Sequence, residues 1–321
     1  MVTVDTEPVT SDDAVQGVPG VHGADTMGAF DAAVSSLRHE LVTHAYRMLG
    51  SWDDAEDAVQ ETQLRAWRSW DAFDHRASVR TWLHRIAINV CLDARRSRTR
   101  RGLPLELPPD DRIATTADDS ARWLQPAPGD GDDLRLALVA ALQLLGPRQR
   151  AVFLLREVLD FPASEVADML GTTVVAVKSS LQRARVRIRS QSRRPDDLVE
   201  PSDPIARRLL GAYISAFQSG EVAPLLAVLR ADASLELMPS GDSFRGMDAC
   251  SPVFAAAVGR PGDWSMRPVV ANGQPAAVVD WKGSPYGIAV LDVRRDGIAR
   301  VSVFEGATLA SSFAEWSTAR T

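Results

Sequence analysis

The sequence predicts a multidomain protein: two all-α modules joined by an acidic linker, then an α+β domain. Three observations predict this. Residues 27–102 and 132–194 are helical in pattern with few breakers, and each carries an arginine-rich stretch. Residues 103–131 between them are crowded with proline and acid, which suits a linker. From residue 203 to 318 the pattern changes to two helical stretches followed by short alternating runs and turn dipeptides. A length of 321 residues accommodates two or three such domains.

In chain order, residues 1–26 are polar and rich in Gly, Pro and Asp, the composition of a disordered tail. No Lys or Arg precedes Arg38 and no apolar segment follows Met1, so a secretory leader is not expected. The most apolar stretch, Leu136 to Leu145, is interrupted by Gln143 and falls well short of the roughly 20 residues of a membrane span. A cytoplasmic chain with no membrane partner is the expectation. Cys91 and Cys250 are far apart, lack a CxxC or histidine partner, and read as reduced buried thiols. No motif calls for a metal, and no cofactor is expected.

The net charge of −6 argues at first against nucleic acid, but the average hides an asymmetry. Arg76, Arg80, Arg85, Arg95, Arg96, Arg98, Arg100 and Arg101 crowd residues 74–102 against Asp74 and Asp93 alone. Residues 174–194 carry Lys178, Arg183, Arg185, Arg187, Arg189, Arg193 and Arg194 and no acid. Two basic islands in an acidic chain read as two nucleic-acid contacts beside acidic surfaces for another partner.

The second island has the layout of a helix-turn-helix. In SEVADMLGTTVVAVKSSLQRARVRIR (164–189), Ser164 can N-cap a short helix whose Val166, Ala167 and Leu170 face inward. Gly171 supplies the turn, and Thr172 or Thr173 caps a second helix beginning near Val174. Val174, Val177, Leu181, Ala184 and Ile188 make its core stripe. Lys178, Ser179, Gln182, Arg183 and Arg185 stay outside the stripe. A major groove admits such a helix, with base edges read by its N-terminal half and phosphates met farther along. An ordinary helix pair with a solvated basic face would have the same periodicity. Ahead of it, LGPRQRAVFLLREVLDFP (145–162) is a helix opened by Pro147 and closed before Pro162.

The first island follows an acidic helix. In SWDDAEDAVQETQLRAWRSW (51–70), Ala55, Val59, Thr62 and Ala66 can face a core. Asp53, Asp54, Glu56, Asp57, Gln60 and Glu61 then form an acidic and amide surface, and the early acids also suit the helix dipole. A loop, DAFDHRAS (71–78), leads to RTWLHRIAINVCLDARRSRTRR (80–101). There Arg85, Asn89 and Arg96 share a face, while Leu83, Ile86, Ala87, Val90 and Ala94 provide core. A basic helix with an asparagine and an aromatic at its start suits single-stranded DNA: arginine meets phosphate, asparagine a base edge, and a ring or pocket an unstacked base. Trp82 reads equally well as core, and Arg98, Arg100 and Arg101 as a non-specific phosphate patch. No GxxxxGK[ST] motif is present, so strand opening, at about 1.4 kcal/mol per base-pair step, would be driven by binding the melted strand.

Residues 145–189 resemble sigma region 4, the domain that reads the −35 promoter element, except that Ala176 and Ser180 replace the commoner Thr and Arg. Residues 51–101, with the DAEDAVQE stretch and Trp82, resemble sigma region 2. Together they identify the chain as similar to sigma factors of the extracytoplasmic-function type. The resemblance implies bacterial RNA polymerase core and promoter DNA as partners. Carried over by motif, polymerase would meet Asp54, Glu56, Asp57, Gln60, Glu61 and Arg65. The −10 strand would meet Asp74, His75, Arg76, Ser78, Arg80, Trp82, Arg85, Asn89, Arg95 and Arg96. The −35 duplex would meet Thr172, Thr173, Val174, Lys178, Ser179, Gln182, Arg183 and Arg185.

In the third domain, helices about 204–218 and 221–230 precede β-like runs at Ser234–Met238, Ser265–Ala271, Ala276–Trp281, Gly287–Val293 and Ala299–Phe304. Asn272-Gly273, Lys282-Gly283-Ser284-Pro285 and Asp296-Gly297 separate the later ones, as in a meander. Helices before strands, with FRGMDA (244–249) as a turn and helix start, resemble the SnoaL-like relatives of ketosteroid isomerase (NTF2-like). WLQPAPGD (123–130) resembles a linker motif of the SigG/SigJ-like sigma factors that carry such a domain. The resemblance implies control of the sigma modules in cis. Asp280, Trp281 and Tyr286 are the candidates for a pocket that holds a small ligand. No catalytic residue is assigned, the domain has no histidine, and the chain is not expected to be an enzyme. A simple DNA-binding regulator would leave residues 40–101 unexplained, and an enzyme with a basic appendage would leave both islands idle.

Overall fold

The computed structural model describes residues 21–74, 76–100, 124–129, 135–191 and 199–318. Most of the expected tail and linker, His75, Arg101 and the side chains of Arg98 and Arg100 lie outside the described residues.

The first module is a bundle of α1 (Val21–Leu49), α2 (Trp52–Arg68) and α3 (Val79–Arg100). Helix α1 begins inside the expected tail, because the last proline is Pro19 and Gly23 and Gly28 cost a helix only about 1 kcal/mol each. Gly50, at φ +77°, turns the chain into α2. Ser51 N-caps α2 by accepting the Asp54 N–H at 3.3 Å. Ala55, Val59, Thr62 and Ala66 are buried along α2, and Leu83, Ala87 and Val90 along α3, as the periodicity predicts.

The second module comprises α4 (Leu136–Gln143), α5 (Pro147–Phe153) with a π-helical turn (Leu154–Val158), α6 (Ala163–Leu170) and α7 (Val174–Gln191). Pro147 stands in the first turn of α5, where its missing N–H costs nothing. Arg150 on α5 is fully buried and donates to the carbonyls of Leu142, Gln143 and Leu145 and to that of Met48 on α1. One guanidinium thus satisfies the C-terminal carbonyls of two helices in two modules, where the helix dipoles favour positive charge. Burial, with the neighbouring charge of Arg95, pushes it down to about 9.

In the third domain α8 (Pro204–Ser219) and α9 (Val222–Ala227) precede β1 (Leu229–Met238), β2 (Asp242–Arg245), α10 (Met247–Ala257), β3 (Trp264–Ala271), β4 (Gln274–Trp281), β5 (Ser284–Arg294), β6 (Gly297–Glu305) and α11 (Ala307–Thr318). The sheet order is β2-β1-β6-β5-β4-β3. The predicted meander is β3 to β6, all antiparallel. The sheet as a whole is mixed, because β1 lies parallel to β6. The short edge strand β2, the helix α11 and the early start of β1, where a longer helix was expected, are additions to the sequence reading. Both residues of Asn272-Gly273 have positive φ, the two-residue turn that suits the twist of a hairpin.

Two apolar cores hold these parts. One lies inside the third domain, between α8, α9 and α10 and one face of the sheet. The other is continuous through both helical modules and reaches the opposite sheet face at Ala276, Val278, Ile288 and Val290 and the helix α11 at Phe313. Residues Leu124–Gly129 of the linker run between the modules and the sheet. There Ala127 N–H donates to Asn272 Oδ1 at 2.8 Å, and Asn272 Nδ2 donates to the Tyr46 hydroxyl at 2.9 Å. Tyr46 in turn donates to the Gln125 carbonyl at 2.8 Å. Burial raises the Tyr46 hydroxyl well above its ordinary value, so it remains a neutral donor.

Candidate nucleic-acid interface

The helix-turn-helix is formed by α6 and α7. Gly171 is left-handed at φ +58°, and Thr173 Oγ1 caps α7 by accepting the Ala176 N–H at 3.2 Å. At the first helix the cap position is Pro162 with no side-chain bond, so Ser164 lies in the first turn instead. Val166, Ala167 and Leu170 of α6 and Val177, Leu181, Ala184 and Ile188 of α7 are buried. Val174 departs from the expected stripe: it is 37% exposed, because the stripe meets its partner helix only a turn further in. Thr172, Thr173, Val174, Lys178, Ser179, Gln182, Arg183 and Arg185 therefore share one accessible surface. Arg183 donates to Ser179 at 2.6 Å, and Arg185 pairs with Glu157 at 2.7 Å.

On α3, Arg85, Asn89 and Arg96 are exposed along one face, while Arg80 and Arg95 turn into the seam between the modules. Arg80 pairs with Glu40 of α1 at 2.6 Å and donates to the Leu159 carbonyl of the second module at 3.1 Å. Its guanidinium lies over the Phe161 ring at 4.4 Å. Beside it, Thr81 donates to Glu165 at 3.0 Å. Arg95 donates to Gln143 at 3.1 Å, and burial holds it below its ordinary value. Ser78 caps α3 by accepting the Thr81 N–H at 3.0 Å, and Arg76 pairs with Asp74 at 2.9 Å. Trp82 is half-buried, stacked on Phe73 with centroids 4.8 Å apart and tilted against Trp70.

Beneath Arg80, His84 is fully buried and its Nε2 lies 2.6 Å from Glu40. Burial lowers the imidazole, against the pull of Glu40, which keeps it neutral and leaves Nε2–H to donate to the carboxylate. Burial alone would raise Glu40, but its bonds to His84 and Arg80 hold it low. His44, also buried, packs edge-on against His84 at 5.4 Å.

The face of α2 carries Asp57, Gln60 and Arg65 exposed, with Asp54, Glu56 and Glu61 half-buried. Arg65 bridges Glu61 at 2.7 Å and Asp93 at 3.5 Å. Sequence reasoning passed over Leu64 and Trp67, which are 51% and 41% exposed beside this face. Their signal was an apolar pair off the core stripe of an otherwise polar helix surface.

Residues 33–101 match the family model described as Sigma-70 region 2, and residues 135–188 match Sigma-70, region 4. The chain is 41% identical over 313 residues to the ECF RNA polymerase sigma factor SigG of Mycobacterium tuberculosis, covering 89% of this chain and 84% of that protein. The chain belongs to the extracytoplasmic-function sigma factors. As a sigma factor it binds RNA polymerase core and promoter DNA, and it is an initiation factor rather than an enzyme. It is also 31% identical over 212 residues to the ECF sigma factor SigJ of the same organism, covering 65% of this chain and 63% of that one. The crystal structure of Mycobacterium tuberculosis SigJ shares its fold, with a TM-score of 0.59 at 22% identity over 89% of this chain and 98% of that one. That span is too long to leave out the C-terminal α+β domain. Among the described residues, no helix is long and apolar enough to cross a membrane.

The candidate pocket residues of the sigma factor do not form one group. Trp281 and Tyr286 gather round Trp264, with centroids 4.3 Å and 5.2 Å from it. Strand alternation puts Asp280 on the other face of β4, with Ala276 and Val278. Tyr286 donates its hydroxyl to Glu305. The joint residue Asn272 was seen in the sequence only as a turn former, since nothing local tells what a hairpin tip will touch.

Proposed function

We propose that this sigma factor reads the −35 duplex with α7, captures the melted −10 strand with the exposed face of α3, and docks on polymerase through α2. The C-terminal domain sets activity in cis by holding the two DNA-reading modules packed together. The two promoter elements lie 25 base pairs apart by name, about 85 Å at 3.4 Å per pair. A packed body of roughly 150 residues has a radius of gyration of only about 15 Å. The modules must therefore part to read both elements, and Arg80 must leave Glu40 to reach a phosphate.

The observation that carries cis control is the joint of Asn272, Ala127 and Tyr46, which ties the C-terminal domain, the linker and the first module together. In Asn272→Ala, a buried N–H and a buried hydroxyl each lose a partner, at a cost of about 1–3 kcal/mol. The balance then moves toward separated modules by up to about a hundredfold. Run-off transcription with purified core polymerase should give several-fold more product per molecule of this variant. Unchanged or reduced output would show that the joint does not restrain the modules. Small-ligand binding in the C-terminal domain is a second expectation, centred on Trp264, Trp281 and Tyr286. Quenching of tryptophan fluorescence by a bound ligand, lost in Tyr286→Phe or Trp281→Leu, is its test.

A further inference from the structure

Where α3 packs against the start of α5, the seam leaves a cleft of about 510 Å³, within the range of small-ligand sites. Leu92, Arg95 and Arg96 of α3 line one side, and Pro147, Arg148 and Gln149 the other. Three arginines from two modules thus line one opening, and none of the described lining residues is acidic. A fourth lies behind it: Arg150 and Arg95 both donate to Gln143 Oε1, the latter at 3.1 Å. Two like charges meeting on one neutral oxygen away from bulk water repel each other. Asp93 divides its carboxylate between Arg96 at 3.4 Å and Arg65 at 3.5 Å. In a chain of net charge −6, this cluster is a local feature and not a reflection of composition.

We infer that the cleft binds the phosphate groups of a small nucleotide. Arg96 and Arg148 present planar forks to phosphate oxygens, and Arg95 adds charge from below. Leu92 and Pro147 offer an apolar wall to a planar ring. Because Arg96 and Arg148 belong to different modules, a bound phosphate bridges the seam. By mass action it favours the packed state over the separated one. A DNA backbone offers the same phosphate chemistry, so the test must separate the two sources.

The experiment is isothermal titration of the full chain with ADP, at an ionic strength fixed by chloride, with pyrophosphate as competitor. Saturable binding, displaced by pyrophosphate and accompanied by a rise in Tm, is expected. Arg148→Gln should weaken it about tenfold, and Arg96→Gln with Arg148→Gln further still. Arg148 is exposed, so its variant keeps the fold. Heats equal to the chloride control, or an affinity unchanged in Arg148→Gln, overturn the inference. A short random-sequence duplex supplies the other arm. If its binding falls in Arg148→Gln while ADP does not bind at all, the cleft is a DNA backbone contact and the nucleotide site is refuted. The readout is binding heat, so it stands apart from any effect of the C-terminal domain on transcription.

Discussion

Helices α3 and α7 carry the same kind of charge into different surroundings. Lys178, Gln182, Arg183 and Arg185 of α7 all face outward, and the buried stripe beneath them is purely apolar. On α3 the arginines are divided. Arg85 and Arg96 face outward with Asn89, while Arg80 is paired with Glu40 of its own module and, like Arg95, reaches across the seam, to Leu159 and Gln143 respectively. A basic helix therefore meets two kinds of surroundings in this molecule: α7 keeps its cations at the surface, with Arg185 beside Glu157, whereas α3 turns two of its arginines inward. Under the proposed roles, the duplex-reading helix would need less rearrangement than the strand-capturing one, which has part of its charge spent on internal contacts.

The sharpest way to break this comparison is to remove a seam arginine and a surface arginine in parallel. Arg150→Ala leaves carbonyls of α1 and α4 without a donor. It should cost several kcal/mol, since each buried carbonyl left unsatisfied costs about 1–3 kcal/mol, seen as a large fall in Tm. A fall of only a degree or two would mean that water readily replaces the guanidinium and that the seam is looser than its geometry.

Glu40→Ala comes next. It frees Arg80 and leaves the buried Nε2–H of His84 without its acceptor, at a cost of about 1–3 kcal/mol. The released arginine should raise affinity for a single-stranded −10-like oligonucleotide, measured by fluorescence anisotropy, and steepen its salt dependence by about one phosphate contact. Equal affinity in the two proteins would mean that Glu40 does not compete with DNA.

Much of this was legible in the sequence, and the gaps have a common cause. Periodicity located the helical segments of the two modules, short of the start of α1, and the buried stripe of α7 apart from Val174, because a 3.6-residue pattern is written by local burial. The Asn272-Gly273 turn and the strands β3 to β6 were legible for the same reason. The seam was not. Arg80 and Arg95 look like any other arginines on a basic helix, and their partners Glu40 and Gln143 lie far away in the chain. The parallel pairing of β1 with β6 is likewise non-local. Asp280 and Trp281 were grouped because they are adjacent, although a strand sends adjacent residues to opposite faces.

Acid should destabilise the fold by a smaller amount, through the first module. Burial holds both His44 and His84 below their ordinary value, with the charges of His84 and Arg47 adding to the effect at His44. Glu40 and Arg80 face His84 and pull it in opposite directions. In the unfolded chain both imidazoles titrate near 6.5, so there the unfolded state binds more protons. Stability is therefore complete above about pH 6.5 and falls as pH drops below it, by at most roughly 1.4 kcal/mol per unit for each histidine. Denaturant melts between pH 7.5 and 5.5 should show this slope, and His44→Leu should flatten it. An identical slope in the variant would place the acid sensitivity elsewhere.

The smallest stability effect is expected where the DNA effect is clean. Arg183 is exposed on α7 and donates to Ser179 of the same helix. Arg183→Ala should change stability by no more than about 0.5 kcal/mol. It should nevertheless weaken binding to duplex promoter DNA and lower the salt slope by about one. A substitution that leaves folding alone and removes one counterion's worth of salt dependence identifies a presented phosphate contact. The same substitution at Arg95 should do the reverse, costing stability while barely moving duplex affinity in the packed chain. If Arg95→Ala and Arg183→Ala gave the same pair of effects, the distinction between the inward and outward arginines would not survive.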